Sequence, residues 1–161
     1  MKNTNQRSAF MTHAAMIAAI YVVLTYIFAP FSFGDVQVRI AEALTILPVF
    51  TPAAIPGLFV GCFIGNILGG AILPDIIFGS FATLIGAVGT YLLRKKSQYL
   101  CVLPPIISNT IIIPCVLKLS YGINLPIPFL MITIGIGEAI SCGILGLILY
   151  YALRKYRKII F

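Results

Sequence analysis

The sequence contains little charge. Of its 161 residues only 9% are Asp, Glu, Lys or Arg, whereas 60% are hydrophobic and the mean hydropathy is +1.07. An ordinary soluble domain carries about 25% charged residues. A chain this apolar lacks the polar surface that water requires, which excludes a soluble globular protein. We therefore predict an integral membrane protein surrounded mostly by lipid.

Several motifs of enzymes and metal proteins are also absent. The sequence has no G-x-x-x-x-G-K-[ST] phosphate loop and no H-E-x-x-H zinc motif. It has one histidine, His13, and none of its four cysteines are spaced as C-x-x-C. A Walker-type ATPase is excluded, and we expect no catalytic residue, metal or cofactor. We interpret the cysteines as small buried side chains.

Long apolar runs, divided by Pro and Gly, extend through the whole chain. Crossing the bilayer core takes about 20 apolar residues in a helix. We predict an all-α membrane protein whose single domain, residues 1–161, has six transmembrane helices near 9–29, 39–50, 53–70, 75–93, 101–119 and 129–153. The second segment is the shortest, because roughly 12 residues cover only about 18 Å. It could therefore tilt or merge with the third.

The basic residues are distributed unevenly. With six spans, both termini and the loop after the fourth helix lie on one side of the membrane, together with nine of the eleven bases: Lys2, Arg7, Arg94, Lys95, Lys96, Arg154, Lys155, Arg157 and Lys158. Arg39 and Lys118 lie on the other side. Lys and Arg concentrate in cytoplasmic loops, so we predict that both termini are cytoplasmic. The net charge of +7 is then a signal of topology, and we expect no nucleic-acid partner.

One carboxylate lies deep in a predicted helix. Glu138 is about ten residues into the sixth span, so about 15 Å from its end. A carboxylate at such a depth costs about 2.5–3.5 kcal/mol, and residues of this kind usually face a cavity or a partner. We predict that Glu138 binds substrate. The alternative is a structural hydrogen bond from protonated Glu138 to a neighbouring helix.

Five more polar residues fall in the outer half or the middle of the predicted helices: Arg39, Glu42, Asn66, Asp75 and Asn109. Structural alternatives exist for each. Arg39 and Glu42 could pair on one helix face, and Asp75 could cap the fourth helix. The two asparagines could bond neighbouring helices.

Asn109 has a further feature in its surroundings. Pro114 lacks the amide hydrogen that would bond the carbonyl of Thr110. A polar amide beside a freed carbonyl is typical of the discontinuous helices in transporter sites. We predict that Asn109 and the other five residues converge on an outward-facing polar cavity that favours a cationic or donor-rich ligand. Phe31, Phe33 and Tyr121 could stack on a planar ring or close a lid.

Small residues recur every four positions in three helices. The third carries Gly57, Gly61, Gly65 and Gly69, and the sixth carries Gly135, Ala139 and Gly143. Residues four apart share a helix face, and small ones allow close approach of helices in lipid. The first helix has a similar smooth face, formed by Ala14, Ala15, Ala18 and Ala19. We expect this last face to be free of internal packing.

Several of these segments resemble a known family. They are QVRIAEALTILP at 37–48, TPAAIPG at 51–57, GCFIGN at 61–66 and DIIFGS at 75–80. Together with Asn109 and GIGE at 135–138, they resemble the queuosine-precursor transporter (QueT) family over nearly the whole chain. The block at 37–80 is the specific part of the resemblance. The hydrophilic start, 2–8, has no counterpart in it.

The resemblance implies the substrate-binding S-component of an energy-coupling factor (ECF) importer in a bacterial cell membrane. Such a subunit has six helices, binds its ligand at the outer side, and joins a transmembrane coupling subunit and two ATPase subunits. It then tips over to release the ligand inside. The implied ligand is 7-aminomethyl-7-deazaguanine or queuine. In related S-components an Ala-x-x-x-Ala face on the first helix docks the coupling subunit, and either Ala14 with Ala18 or Ala15 with Ala19 matches that pattern.

The residues alone leave other functions open. The chain could be an S-component for another water-soluble vitamin, or a stand-alone channel or carrier that needs no ATPase. A small membrane enzyme is a further alternative, although no catalytic motif favours it.

Overall fold

The computed structural model describes residues 2–29, 38–120, 122 and 124–156, with side chains from residue 6 onward. The described residues form helices and contain no strand. We number the helices α1 to α6: Lys2–Ile27, Ile40–Val49, Ala54–Leu68, Leu73–Leu93, Gln98–Ser120 and Ile127–Arg154. α1 begins at Lys2, well before the predicted residue 9, so the hydrophilic start is part of the helix.

Four of the six helices are long and apolar enough to cross a membrane: α1, α4, α5 and α6. α2 and α3 are apolar but shorter, with 10 and 15 residues. α2 has the tighter 3₁₀ geometry and is about 20 Å long, and α3 is about 22 Å long. Both fall short of the bilayer core of about 30 Å. The chain is a helical membrane protein, while the count of six spans and the cytoplasmic termini stay predictions.

The outer surface of the helices is apolar. Large hydrophobic side chains are exposed on several of them, among them Met11, Tyr26, Leu73, Leu92 and Ile148. In water such a surface would promote aggregation. In a bilayer these side chains contact lipid tails, as the composition predicted.

α2 lies at the centre of the bundle. It packs against α1, α3, α4 and α6, and every residue from Ala41 to Pro48 is buried. A 3₁₀ run of ten residues is unusual, and irregular helical geometry often marks a functional or strained segment. The shortest predicted segment is thus the most enclosed one, and it carries Glu42 into the interior.

Glycines in α3 bring α1 close. A Cβ added at Gly57 would lie 2.7 Å from the carbonyl oxygen of Ala14, and one at Gly61 would lie 2.8 Å from Cβ of Tyr21 and 3.0 Å from the carbonyl oxygen of Ala18. The expectation that the whole alanine face of α1 is free of internal packing is therefore wrong. Ala14 and Ala18 lie against the α3 glycines, whereas Ala15 and Ala19 are exposed.

A second close contact joins α4 to α5. A Cβ at Gly86 would lie 2.6 Å from Cα of Pro105, and one at Gly89 would lie 2.5 Å from Cβ of Pro104. The prolines occupy the first turn of the main part of α5, Leu103–Ser120, where they cost no hydrogen bond. This contact positions the α5 residue Asn109 relative to α4.

Candidate functional site

All six predicted site residues are buried polar side chains. Arg39 is 6% exposed, and the other five are between 0% and 3% exposed. The structure therefore holds an enclosed polar cluster, whereas the sequence predicted side chains lining an outward-facing cavity. The difference has a physical reason: the close helix contacts bring these side chains together, and Asp75 contacts both Arg39 and Asn66.

One part of the cluster is formed by Arg39, Asp75 and Asn66. The guanidinium of Arg39 lies 3.4 Å from Oδ2 of Asp75, and Nδ2 of Asn66 lies 3.5 Å from the carbonyl oxygen of Asp75. Gly79 leaves room for all three, because a Cβ there would lie 3.2 Å from Nδ2 of Asn66 and 3.6 Å from Nη1 of Arg39. We call these three residues the arginine subsite.

The arginine subsite corrects two alternatives from the sequence. The carboxylate paired with Arg39 is that of Asp75, which lies 36 positions away, and not that of Glu42. Asp75 lies in the first turn of α4, three positions after the N-cap residue Ile72, and not at the N-cap position itself. A buried guanidinium loses its hydration, and a carboxylate at hydrogen-bonding distance offsets that cost.

Only one of the two carboxylate oxygens of Glu42 makes hydrogen bonds with the described residues. Its Oε1 accepts hydrogen bonds from the hydroxyl of Tyr21 at 2.5 Å and from the hydroxyl of Thr83 at 3.0 Å. Its Oε2 is buried and makes no hydrogen bond with the described residues. A buried carboxylate oxygen without a donor is costly, so it marks a place where a donor from a bound molecule would fit.

Glu138 lies beside Glu42. Oxygen atoms of the two carboxylates and Sγ of Cys142 all lie within 4.8 Å of one another. The thiol of Cys142 is 3.1 Å from Oε2 of Glu138 and 3.5 Å from the carbonyl oxygen of Glu42. Two carboxylates at this distance repel each other when both are ionised. We call Glu42 and Glu138 the carboxylate pair.

Asn109 faces the carboxylate pair from α5. Its side chain lies near Glu42 and Glu138, and its Nδ2 makes no hydrogen bond of ordinary geometry with the described residues. α5 continues through Pro114 as a regular helix, so the expected discontinuity beside Asn109 is not present. Its one irregularity is at Val102, between Gln98–Cys101 and Leu103–Ser120.

Cys62 connects the two parts of the cluster. Its Sγ lies 3.6 Å from Nδ2 of Asn66 and 3.4 Å from Oγ1 of Thr83, which in turn bonds Glu42. Cysteine is a weak hydrogen-bond partner, so these contacts are adaptable. The arginine subsite and the carboxylate pair therefore form one continuous polar network across α1, α2, α3, α4 and α6.

Four members of the site were not predicted from the sequence: Tyr21, Cys62, Thr83 and Cys142. A signal for three of them was available, because residues four apart share a helix face. Cys62 precedes Asn66 by four, Cys142 follows Glu138 by four, and Thr83 follows Asp75 by eight. No predicted substrate-binding residue lies four or eight positions from Tyr21 on α1. The predicted lid residues Phe31, Phe33 and Tyr121 lie outside the described residues.

A π-helical segment, Ala139–Leu145, follows Glu138 directly within α6. Single π turns inside α-helices often occur at functional sites. Here the wider turn contains Ser141 and Cys142, which are both buried. Irregular geometry thus occurs on both helices that supply the carboxylate pair.

The candidate site is a cluster of ionisable side chains enclosed by apolar helices. Buried charges inside a helical membrane protein are rare and mark substrate or ion pathways, and the described residues present both a free acceptor and a free donor to a small polar molecule. These features are typical of a membrane transporter. The family model of the QueT transporter matches residues 11–155, so the chain belongs to the QueT transporter family. Comparisons with curated proteins and with solved structures returned no match.

Proposed function

We propose that this chain is the substrate-binding subunit of an ATP-driven ECF importer in a bacterial cell membrane, and that its ligand is a queuosine precursor, 7-aminomethyl-7-deazaguanine or queuine. The observation that carries the proposal is the enclosed cluster with an unpaired acceptor, Oε2 of Glu42, and an unpaired donor, Nδ2 of Asn109. A polar ligand that offers both a hydrogen-bond donor and an acceptor would satisfy both.

The arginine subsite suits the base edge of a 7-deazaguanine. That edge has the O6 acceptor beside two parallel N–H donors, and arginine is a common partner of guanine O6. Arg39 would donate to O6, and the carboxylate of Asp75 would accept from the N–H groups. Both side chains are already adjacent at 3.4 Å, so ligand binding would replace their mutual contact by contacts of similar kind.

The coupling subunit and the two ATPase subunits are proposed as partners, since the chain has no phosphate-binding loop of its own. The exposed alanines Ala15 and Ala19 support this part of the proposal. Together with Met11 and Val23 they form a stripe of residues four apart on the outer face of α1, and all four are exposed. Small residues in the middle of such a stripe let another helix approach closely in lipid.

Calorimetric titration of the purified protein tests the ligand. We expect saturable binding of 7-aminomethyl-7-deazaguanine and no binding of riboflavin or thiamine at the same concentrations. Binding of a vitamin instead would indicate an S-component with another cargo. Uptake in cells lacking all ATPase partners would indicate a stand-alone carrier.

A further inference from the structure

The buried charges of the site do not balance. Arg39 is the one basic residue among the buried side chains of the described ranges, whereas three acids are buried with it: Glu42, Asp75 and Glu138. Asp75 pairs with Arg39. The carboxylate pair has no basic side chain of its own in the described part of the chain.

The geometry of the carboxylate pair fits one small cation. One oxygen of each carboxylate and Sγ of Cys142 lie within 4.8 Å of one another, and an ammonium nitrogen makes charge-assisted hydrogen bonds of about 2.7–2.9 Å. One ammonium group placed between these two oxygens therefore reaches both carboxylates. Tyr21 and Thr83 donate to Oε1 of Glu42, whereas its Oε2 has no donor among the described residues.

A second observation points to a ligand at the same place. The amide of Asn109 is 2% exposed, faces both carboxylates, and has an Nδ2 without a hydrogen-bond partner in the described residues. A purely structural network would satisfy a buried amide. The unmet donor indicates that an acceptor atom of a bound molecule completes the network, and this atom is not the ammonium nitrogen, which can only donate.

We infer that the carboxylate pair selects its ligand by charge: it takes the ammonium group of an aminomethyl-substituted 7-deazaguanine and rejects the same ring with a neutral substituent. This inference rests on the proposed function. The two parts of the site then have separate tasks. The arginine subsite binds the base edge that all 7-deazaguanines share, and the carboxylate pair binds the substituent that distinguishes them.

The physical reason for the discrimination is the cost of an unpaired buried charge. Leaving one partner of a buried charged hydrogen bond without its counterpart typically lowers affinity by at least about 30-fold. A nitrile in place of the aminomethyl group has no proton to donate and carries no charge. It would occupy the space beside Glu42 and Glu138 while leaving both carboxylates uncompensated.

Competition titration of the purified protein with 7-aminomethyl-7-deazaguanine and 7-cyano-7-deazaguanine tests the inference. We expect the amine to bind at least about 30-fold more tightly. Equal affinities would overturn charge selection while leaving the proposed transport of 7-deazaguanines intact. If neither compound binds, the proposed function itself fails, and the inference with it.

Two variants locate the selection in the carboxylate pair. Glu138→Gln keeps the shape and removes the charge, so the preference for the amine should fall to within a few fold while binding of the cyano compound persists. Glu138→Asp keeps the charge and should retain most of the preference. A preference that survives Glu138→Gln would overturn the assignment, because the selecting charge would then lie elsewhere.

Discussion

Tyr21 on α1 donates a hydrogen bond of 2.5 Å to Oε1 of Glu42 on α2. The two residues are buried, and the bond ties the outer helix to the central one. Hydrogen bonds to charged groups stabilise folded proteins by roughly 1.5–3 kcal/mol. This contact therefore serves both the fold and the orientation of Glu42 within the carboxylate pair.

Replacing Tyr21 by Phe removes this donor and keeps the ring. We expect Tyr21→Phe to lower the free energy of unfolding by about 1.5–3 kcal/mol and to weaken ligand binding, because Glu42 loses its closest donor. Thermal unfolding in detergent measures the first effect. Tyr26→Phe is the matched control, since Tyr26 is 66% exposed on the same helix. Equal unfolding temperatures for the two variants would contradict the role given to Tyr21.

The close contact between α4 and α5 predicts that a single methyl group added at Gly86 lowers the stability of the protein. A Cβ at Gly86 would lie 2.6 Å from the backbone of Pro105, and overpacking of this kind costs about 1–3 kcal/mol. Gly86→Ala should lower thermal stability accordingly. Gly143→Ala should not, because its Cβ would meet nothing nearer than 3.9 Å. If both variants unfold like the unmodified protein, the two helices are further apart than described.

The exposed alanines of α1 predict a separation of binding from transport. Ala15→Leu with Ala19→Leu should abolish uptake, because the bulky side chains would prevent a partner helix from approaching. Ligand binding by the isolated protein should persist, since both residues are exposed. Uptake assays and calorimetry on the same double variant measure the two effects.

Ala14 and Ala18, the other two alanines of this face, provide a comparison variant. Ala14→Leu with Ala18→Leu should impair folding or binding, because Ala14 and Ala18 face the α3 glycines. Normal uptake by the Ala15/Ala19 double variant would exclude this stripe as a docking surface.

Topology gives a further prediction. Nine of the eleven bases lie on one side of a six-span arrangement, and that side should be cytoplasmic. Fusions of a reporter that is active only in the cytoplasm should be active at the C-terminus and after Lys96. A reporter active after Leu125 instead would reverse the orientation.

Much of the fold could be predicted from the sequence, for identifiable reasons. Apolar length predicted the four long helices, and the Gly57–Gly61–Gly65 spacing predicted a close helix contact. The partner of that contact could not be predicted, because spacing shows a smooth face but not which helix covers it. The 3₁₀ geometry of Ile40–Val49 was also missed, since neither its composition nor its length distinguishes it from a short α-helix.

The candidate site was predicted in part. The cost of burying charge singled out Glu138, and position in the predicted helices singled out Arg39, Glu42 and Asp75; all four are buried. Their pairing was not predictable, because Arg39 and Asp75 meet only through tertiary packing. Tyr21 was overlooked for a related reason: a tyrosine within an apolar helix is unremarkable until its hydroxyl is found against a carboxylate.

The most direct test of the account is the affinity of Glu138→Gln for 7-aminomethyl-7-deazaguanine, measured by calorimetry on the purified protein. Glutamine is nearly isosteric, so folding should be only mildly affected. Loss of a buried charged hydrogen bond typically costs about 2–5 kcal/mol, so the account predicts a dissociation constant raised by at least about 30-fold. An unchanged dissociation constant in a folded variant would contradict it and would return Glu138 to a structural role.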